Sequence, residues 1–317
     1  MTTRTEASAP TGVLLAAGEG RRMGSLGERC PKACLPIGDQ PLILRHLAMF
    51  RRMGIDDIVV VVGFRAEEVQ AMVAGGAAGA PGVRVRFVHQ RARRGIAHAV
   101  ESARDLVGDA LVVVLSDTYF VPADLEDGVR RLAAGGLDAV LSIRTEPDAD
   151  QIRRECSVAF DDAGHLTKIV EKPVTPFNDL KPCGLYFFTR AIFDAIDRTP
   201  PSAVRNEVEL TDAIQTLVTM GRRVGRAHTI AWDRNLNEPR DLLACNLAFL
   251  QHTHRSTMVS DAAFVHPGAH LDQVVIGAGA RVEAAVQLSR VVALPGARIV
   301  ADAHDVVIGP DAIIEAA

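Results

Sequence analysis

A glycine-rich turn near the start of the chain has the residue types that hold phosphate groups. The apolar run at residues 13–16 leads into GEGRRMG at residues 18–24, where bare glycine amides can approach phosphate oxygens. Arg22 lies in this turn, and Lys32 follows Pro31 after a gap of nine residues. The planar guanidinium of Arg22 and the compact ammonium of Lys32 are cations that suit phosphate oxygens. These residue types indicate a turn that binds phosphate groups.

A carboxylate stands at the end of a second apolar run. Asp117 follows Ser116 behind LVVVL at residues 111–115. Open α/β sheets bind ligands at the carboxyl ends of their strands, which favours a metal or substrate at Asp117 over a simple turn. Mg²⁺ takes one or two carboxylates together with water and phosphate oxygens, so Asp117 and one amide oxygen would suffice. The glycine spacing, GxGxxxG, matches neither the dinucleotide-binding fingerprint nor a Walker A loop.

The elements that carry these residues follow a βαβ pattern. Predicted strands cover residues 13–16, 58–63, 83–89, 111–115 and 139–143, and predicted helices cover residues 41–53, 66–73 and 209–220. Continuous β-branched runs are typical of strands buried on both faces of a parallel sheet. Residues 157–160, 166–170 and 184–188 have the pattern of hairpin pieces. The pattern predicts a doubly wound, Rossmann-like α/β domain.

The tail of the chain has a different periodicity. From residue 261, aliphatic residues recur every six positions, at Ile276, Val282, Leu288, Leu294, Val300 and Val306. A six-residue period predicts a short hexapeptide-repeat β-helix, which we expect to be left-handed, with about 18 residues per coil and about three coils. A meander of surface hairpins is the alternative. Such a short tail would serve as a cap or an assembly surface.

Composition excludes several classes of protein. The 317 residues carry a formal charge of −4, with 48% hydrophobic and 23% charged residues, which is typical of a globular chain. We therefore expect no nucleic-acid partner. The apolar runs fall far short of the roughly 18 residues that a membrane-spanning helix needs, so no membrane partner is expected. The first residues lack the apolar core of a secretory signal, and the five cysteines are odd in number, which favours a reduced, cytoplasmic protein.

Taken together, the motifs resemble those of a known family. LAAGEGRRM (15–23) and PKACLPIGDQPLI (31–43) resemble the sugar-1-phosphate nucleotidyltransferases, also called nucleotide-sugar pyrophosphorylases. The resemblance continues in QRARRGIAHA (90–99), LVVVLSD (111–117), VEKP (170–173), GLY (184–186), EVELTD (207–212) and NEPRDL (237–242). It covers about residues 12–245, and Ser116 departs from it by standing where the family commonly has Gly.

The resemblance implies a role for each matching position. The catalytic residues would be Arg22, Lys32 and Asp117, and the nucleotide would contact Leu15, Ala17, Gly18, Gly20, Gln90 and Gly95. The sugar phosphate would contact Glu171, Lys172 and Gly184. Mg²⁺ would be held by Asp117 and Asn237, with Asn235 as the alternative to Asn237. The side chain of Gln90 offers a carbonyl and an amide group that match uracil or thymine, and its segment resembles the branch that uses UTP or dTTP.

The implied reaction joins an NTP and a sugar 1-phosphate, or a similar phosphorylated polyol, to give an NDP-sugar and pyrophosphate. A non-catalytic regulatory subunit that binds nucleotide-sugar, and a bifunctional pyrophosphorylase and acyltransferase, are the alternatives. We expect a flexible N-terminus at residues 1–11, a nucleotidyltransferase domain at residues 12–257 and a left-handed β-helix at residues 261–317. The tail favours a homo-oligomer.

Overall fold

The computed structural model describes residues 9–77, 82–92, 94–202, 206–311 and 313–315. The chain divides into two compact units. The first unit comprises the residues up to Gly18 together with His46–Ser116 and Pro122–Asp233. The second comprises Glu19–Arg45, Asp117–Val121 and the residues from Arg234 onward. The predicted domain boundaries at residues 12, 257 and 261 stay predictions.

The strands are listed here in chain order. They are β1 (Thr11–Ala16), β2 (Pro36–Ile37), β3 (Gln40–Pro41), β4 (Asp57–Val62), β5 (Arg84–His89), β6 (Ala110–Leu115), β7 (Thr118–Pro122), β8 (Ala139–Thr145), β9 (Cys156–Phe160), β10 (Leu166–Glu171), β11 (Leu180–Thr189), β12 (Val224–Ala227), β13 (Ile230–Asn235), β14 (Thr257–Val259), β15 (Phe264–Val265), β16 (His270–Ile276), β17 (Arg281–Val282), β18 (Gln287–Ala293), β19 (Arg298–Ile299), β20 (Ala303–Ile308) and β21 (Ile313–Glu315).

The described helices all lie among these strands within the first 252 residues. They are α1 (Ser25–Arg29), α2 (Leu42–Arg52), α3 (Ala66–Ala77), α4 (Ile96–Glu101), α5 (Glu126–Ala133), α6 (Ala149–Arg154), α7 (Ala191–Arg198), α8 (Leu210–Thr219) and α9 (Pro239–His252), with short 3₁₀ helices at Arg21–Met23, Lys32–Cys34 and Arg104–Leu106.

A seven-stranded sheet forms the core of the first unit, in the order β12–β8–β11–β6–β1–β4–β5. β1 lies between β4 and β6 and is parallel to both, as are β5 to β4 and β12 to β8. From β1 the chain moves towards β5, and it then returns to place β6 on the other side of β1. This reversal between β1 and β6 is the place where open sheets bind ligands.

β11 differs from the prediction. It lies inside the main sheet and is antiparallel to both β6 and β8, so the hairpin predicted at residues 184–188 is wrong. The hairpin predicted at residues 157–160 and 166–170 is confirmed, because β9 and β10 pair antiparallel. The apolar run of β11 reflects burial on both faces: Phe188 lies in a core with α7 and α8, whereas Phe187 contacts Gly128 of α5. Helices therefore cover both faces of the sheet.

The tail belongs to the second unit and consists of parallel strands. β14, β16, β18 and β20 pair parallel in one sheet, and β15, β17 and β19 in another. β21 is antiparallel to β20. A hairpin meander would pair its strands antiparallel, so the parallel order of β14–β20 argues against that alternative. Left-handed coiling stays a prediction.

The tail repeats are shorter than predicted. His270 pairs with Gln287 and Val282 with Ile299, each 17 positions on, whereas Val291 pairs with Val306, 15 positions on. Three steps of six would need 18 residues, so the six-residue ladder loses its register. Val300 is 65% exposed, and Ile299 is buried in its place.

Candidate functional site

The glycine turn of the second unit is built around Gly20. Gly20 has a left-handed backbone, with φ 68° and ψ 29°, at the start of the 3₁₀ helix Arg21–Met23. A Cβ on Gly20 would lie 2.7 Å from Cγ of Lys32, so a side chain there would collide with the lysine stem. A Cβ on Gly27 would lie 2.7 Å from the carbonyl oxygen of Gly20. Glycine is therefore needed at both positions for the turn to hold Lys32 close.

Four predicted residues meet in this unit, and together with Gly20 we call them the phosphate cluster. The ammonium of Lys32 lies 3.5 Å from Oδ2 of Asp117, and the lysine side chain is only 11% exposed against 39% for the aspartate. The guanidinium of Arg22 donates to Oδ1 of Asn237 at 2.8 Å. The structure thus brings two cations, one carboxylate and one amide together, although the segments that carry them are up to 215 positions apart.

The turn that carries Asn237 is fixed by its neighbours. The amide of Leu236 donates to the carbonyl of Asp117 at 2.7 Å. The amides of Asn237 and Glu238 both donate to Oδ2 of Asp241, which caps α9 as part of a capping box. Asn235 instead accepts a hydrogen bond from the hydroxyl of the buried Thr118 at 2.5 Å. Asn237 therefore faces a cation of the cluster, while Asn235 is used to hold the fold.

The phosphate cluster contains oxygen donors of the kinds that Mg²⁺ takes, a carboxylate and an amide oxygen. Within the described part of the chain, no group of three or more His, Cys, Asp or Glu side chains could hold a metal. Mg²⁺ needs fewer protein ligands, because water and phosphate oxygens complete its shell. The Asp117 carboxylate and the Asn237 amide oxygen each face a cationic side chain, so positive charge is stabilised at both.

The end of β1 carries the first predicted nucleotide contacts of the first unit. Leu15 accepts a hydrogen bond from the amide of Ser116 at 3.2 Å, and Ala17 accepts one from Phe64 at 3.3 Å. These bonds fix the backbone where β1 leaves the sheet. Apart from Gly18 and its two neighbours in the chain, no described atom lies within 4 Å of the place that a Cβ on Gly18 would take.

Ser116 is held by a second contact, from a residue that the sequence did not single out. His46 is fully buried, and burial lowers its pKa to about 3, against a hydrogen bond with the backbone of Ser116 that raises it. The imidazole is therefore neutral near pH 7. It holds the residue directly before Asp117, where a glycine would have left the backbone free to move.

Gln90 and Gly95 form a compact group after β5. Nε2 of Gln90 donates to the carbonyl of Gly95 at 3.0 Å and lies 3.2 Å from Nδ1 of His98. With His98 as the acceptor, both amide hydrogens are used inside the protein, so a base would meet the acceptor oxygen Oε1. The prediction was that Gln90 offers the base both its carbonyl and its amide group, whereas in this geometry only the carbonyl oxygen remains for a base. Arg93 of the same segment lies outside the described residues.

The geometry at Gly95 requires glycine. Its φ is 99°, and a Cβ would lie 2.4 Å from the carbonyl oxygen of Val208. Val208 in turn donates to the carbonyl of Arg94 at 2.7 Å and accepts from the amide of Ala97 at 3.0 Å. The start of α4 is therefore clamped to the segment before α8.

The predicted sugar-phosphate residues lie at irregular points of β10 and β11. Glu171 ends β10, and Lys172 follows it with a left-handed backbone at φ 46°. The ammonium of Lys172 is 3.9 Å from Glu171 and its side chain is 40% exposed. Gly184 has φ 74° in the stretch where the register of β11 against β8 shifts, between Pro182 and Tyr186. Gly184 therefore allows β11 to bulge inside the sheet.

A buried ion network lies in the same unit, and the motif analysis missed it. Lys181 contacts Glu155 and also donates to Oδ2 of Asp233 at 2.8 Å, while Arg144 contacts the other oxygen of Asp233. Burial disfavours the charge of Lys181, but Asp233 and Glu155 outweigh it and raise its pKa. Burial also raises the pKa of Glu155, and Lys181 opposes that shift. The one sequence signal is that Lys181 is a lysine in a chain with few of them.

The sheet order and the helices on both of its faces define a doubly wound α/β protein. Residues 11–235 match the family model described as nucleotidyl transferase. The chain is 32% identical over 286 residues to a glucose-1-phosphate thymidylyltransferase of Streptomyces griseus, which covers 85% of this chain and 78% of that protein. It is 31% identical over 229 residues to the UTP–glucose-1-phosphate uridylyltransferase AglF of Haloferax volcanii, covering 72% and 92%.

A solved structure agrees on the fold. The UDP-glucose pyrophosphorylase complexed with UDP-glucose matches with a TM-score of 0.65 at 21% identity, over 76% of this chain and 98% of that one. The chain belongs to the nucleotidyl transferase family, which confirms the prediction of a nucleotidyltransferase. Among the helices of the described residues, none is both long and apolar enough to span a membrane.

Proposed function

We propose that the protein transfers a nucleotidyl group from an NTP to a sugar 1-phosphate, giving an NDP-sugar and pyrophosphate. The names of the relatives, which act on glucose 1-phosphate, agree with this reaction. The observation that carries it is the phosphate cluster, in which Arg22 and Lys32 stand beside Asp117 and Asn237. Cations next to oxygen ligands are what a reaction between two polyanions requires.

The chemistry gives each residue of the cluster a part. A sugar 1-phosphate dianion attacks the α-phosphorus, its oxygen forms the new P–O bond, and the bond to the pyrophosphate breaks. The forked guanidinium of Arg22 suits the β- and γ-phosphates of the leaving group. Lys32 is nearly buried, so its charge is weakly screened and suits the α-phosphoryl oxygens during transfer. No covalent enzyme intermediate is needed.

Asp117 and Asn237 would hold Mg²⁺, which would supply charge neutralisation and a template for in-line geometry. The hydrogen bonds of Leu236 to Asp117 and of Asn237 to Asp241 fix the backbones of both ligands before substrate arrives. Asn235 is the weaker candidate, because its side-chain oxygen accepts from the buried hydroxyl of Thr118, whereas that of Asn237 accepts from the exposed guanidinium of Arg22, which a phosphate can take over.

We assign the nucleotide to Leu15, Ala17, Gly18, Gly20, Gln90 and Gly95, and the sugar phosphate to Glu171, Lys172 and Gly184. UTP or dTTP is the expected nucleotide, because Oε1 of Gln90 can accept the imide N–H of uracil or thymine. Guanine also offers a ring N–H, so the expected preference over GTP rests on the resemblance of the segment at residues 90–99 to the branch that uses UTP or dTTP. A phosphorylated cyclitol or aminoalcohol stays a possible acceptor class.

The experiment is a matrix of substrates. The purified protein is assayed with Mg²⁺ and ATP, CTP, GTP, UTP or dTTP against several sugar 1-phosphates, with pyrophosphate release as the readout. We expect turnover with UTP or dTTP at least about tenfold above GTP in kcat/KM. Tight binding of a nucleotide-sugar without pyrophosphate release would favour the regulatory-subunit alternative. Release of CoA from acetyl-CoA would favour the bifunctional one.

The remaining expectations stand as part of the proposal. The tail is proposed to coil as a left-handed β-helix, since its strands β14–β20 pair parallel. It is also proposed to support a homo-oligomer, since Phe264 and Val300 are exposed on it. A cytoplasmic location is proposed because none of the five cysteines, which all lie in described positions, forms a disulfide. Light scattering of the full-length protein tests the oligomer directly, and a monomeric mass would contradict it.

A further inference from the structure

The register of the main sheet creates an electrostatic problem in the first unit. Lys181 of β11 pairs directly with Arg144 of β8, and paired residues of neighbouring strands have their side chains on the same face. Two cations side by side repel each other. Both are nearly buried, at 1% and 8% side-chain exposure, so water screens the repulsion little. Asp233 solves the problem by giving one carboxylate oxygen to each cation.

Two more carboxylates contact the cations of the network. Glu146 pairs with Arg144 at 2.6 Å, and Glu155, which follows the last residue of α6, contacts the ammonium of Lys181. The backbone carbonyl of Glu155 accepts a hydrogen bond from the amide of Lys172 at 2.8 Å. Lys181 is thus connected to Lys172 through one residue, whose side chain faces the network and whose main chain faces the loop after β10.

Lys172 needs such support, because its backbone is in a conformation that L-residues avoid. Its φ of 46° lies in the left-handed region, and Lys172 carries a Cβ that glycine would lack. A residue of this kind stays there only where its surroundings hold it. The side chain of Lys172 is 40% exposed and its contact with Glu171 is loose, at 3.9 Å, so the side chain itself holds little. The hydrogen bond from the amide of Lys172 to the carbonyl of Glu155 holds this backbone directly, next to the pairing of Glu171 with Cys156 in β10 and β9.

We propose that Lys181 is a positioning residue, which acts through Glu155 to hold Lys172 in the conformation that presents its ammonium to the sugar phosphate. The proposal rests on the proposed function of Lys172. If Lys181 loses its charge, Glu155 is left as a buried carboxylate without its cation and moves towards water. The main chain at Glu155 moves with it, the amide of Lys172 loses its acceptor, and Lys172 relaxes to an ordinary backbone conformation.

The test uses two readouts on the full-length protein. In Lys181→Met, the KM for sugar 1-phosphate should rise at least about tenfold, because misplacing a binding group by an ångström costs up to about 100-fold. The KM for the NTP should stay within about twofold, and a loss of folded protein alone would lower kcat without changing either KM. Amide hydrogen exchange gives the second readout, in which the amide of Lys172 should exchange at least about tenfold faster.

Variants at Glu155 separate positioning from folding. Glu155→Gln keeps a side-chain oxygen for Lys181, so the KM for sugar 1-phosphate should stay near the wild-type value. Glu155→Ala removes that oxygen and should raise this KM as Lys181→Met does. Arg104→Met is the control, because Arg104 also joins two carboxylates, Glu101 and Asp197, and none of these three is a predicted site residue. It should change neither KM.

Two results would overturn the proposal. One is unchanged exchange at Lys172 in folded Lys181→Met, and the other is faster exchange there with an unchanged KM for sugar 1-phosphate. If Lys181→Met does not fold, Glu155→Ala decides by the same two measurements. Failure of the wild-type protein to release pyrophosphate would overturn the proposed function instead, while the exchange measurement would still decide whether Lys181 holds Lys172.

Discussion

Replacing Lys32 with Met should slow nucleotidyl transfer while leaving the fold intact. The methionine keeps the unbranched stem that passes Gly20 and removes only the charge. The substitution removes one ion pair, between the ammonium of Lys32 and Asp117 at 3.5 Å, and the side chain of Asp117 is 39% exposed. A pair that water reaches contributes about 0–1 kcal/mol to stability. We therefore expect the melting temperature to fall by no more than about 4 °C.

The effect on catalysis should be much larger. A charge 4 Å from a developing phosphoryl charge is worth about 4 kcal/mol at an effective dielectric constant of 20, and the 11% exposure of Lys32 places it in such surroundings. Removing one electrostatic contact of this kind costs about 2.7–4 kcal/mol, or about 100- to 1,000-fold. Because the charge develops during transfer, the loss should appear in kcat and leave the KM for the NTP nearly unchanged.

Steady-state release of pyrophosphate, with each substrate varied at saturating concentration of the other, separates the two parameters. Lys168→Met is the matched control, since the ammonium of Lys168 lies 4.4 Å from the ring centre of Phe177 and no substrate role is predicted for it. It should keep kcat within about twofold. A Lys32→Met enzyme with kcat within tenfold of wild type and a raised KM for the NTP would refute the reasoning. Lys32 would then bind substrate and transition state equally.

Four further predictions test other parts of the site. Asp117→Asn should lower kcat at least about 100-fold and weaken the dependence on Mg²⁺, and an unchanged Mg²⁺ titration would remove Asp117 from the metal site. Gln90→Glu sets a carboxylate against the carbonyl of Gly95, so kcat/KM for UTP should fall at least about tenfold, and an unchanged value would exclude base contact. Gly20→Ala should lower the free energy of unfolding by about 1–2 kcal/mol, because alanine is strained in the left-handed backbone of Gly20. It should also lower kcat, because its Cβ displaces Lys32. Denaturant unfolding and kinetics equal to wild type would contradict this. His46 has a pKa of about 3 when folded against 6.5 as its ordinary value, so the unfolded state binds more protons between these values and stability falls as pH drops through that window. Wild type should lose about 1.6 kcal/mol between pH 6.5 and pH 5 that His46→Gln does not lose in urea unfolding, and equal slopes would contradict the assignment.

The phosphate cluster could be predicted because its parts are local signals in the chain. Gly20 and Arg22 lie in one short turn, Lys32 follows a proline, and Asp117 follows a buried strand. Each of these patterns has a physical reason that acts within a few residues. The choice between Asn235 and Asn237 could not be made in the same way, because it depends on Thr118 and on the cap of α9, which lie in other segments.

Two errors of the sequence interpretation have a shared cause. A buried apolar strand looks the same whether it is parallel or antiparallel to its neighbours, so the place of β11 between β6 and β8 leaves no trace in its own residues. The predicted six-residue period does not hold at Val300, because the coils of the tail are 17 or 15 residues long and not 18, although aliphatic residues continue nearby. Both features are decided by pairing between segments.

The ion network shows the same limit from the other side. Lys181 is separated by 26 positions from Glu155 and by 52 from Asp233, and Arg144 is separated by 89 from Asp233. No periodicity links residues at such distances. Once β8 and β11 are paired in register, however, two cations are forced together on one buried face, and burial without a shared carboxylate would be unfavourable. The pairing of β8 with β11 therefore explains why an acidic residue at position 233 is favourable. Its carboxylate also joins β13 to β8 and β11.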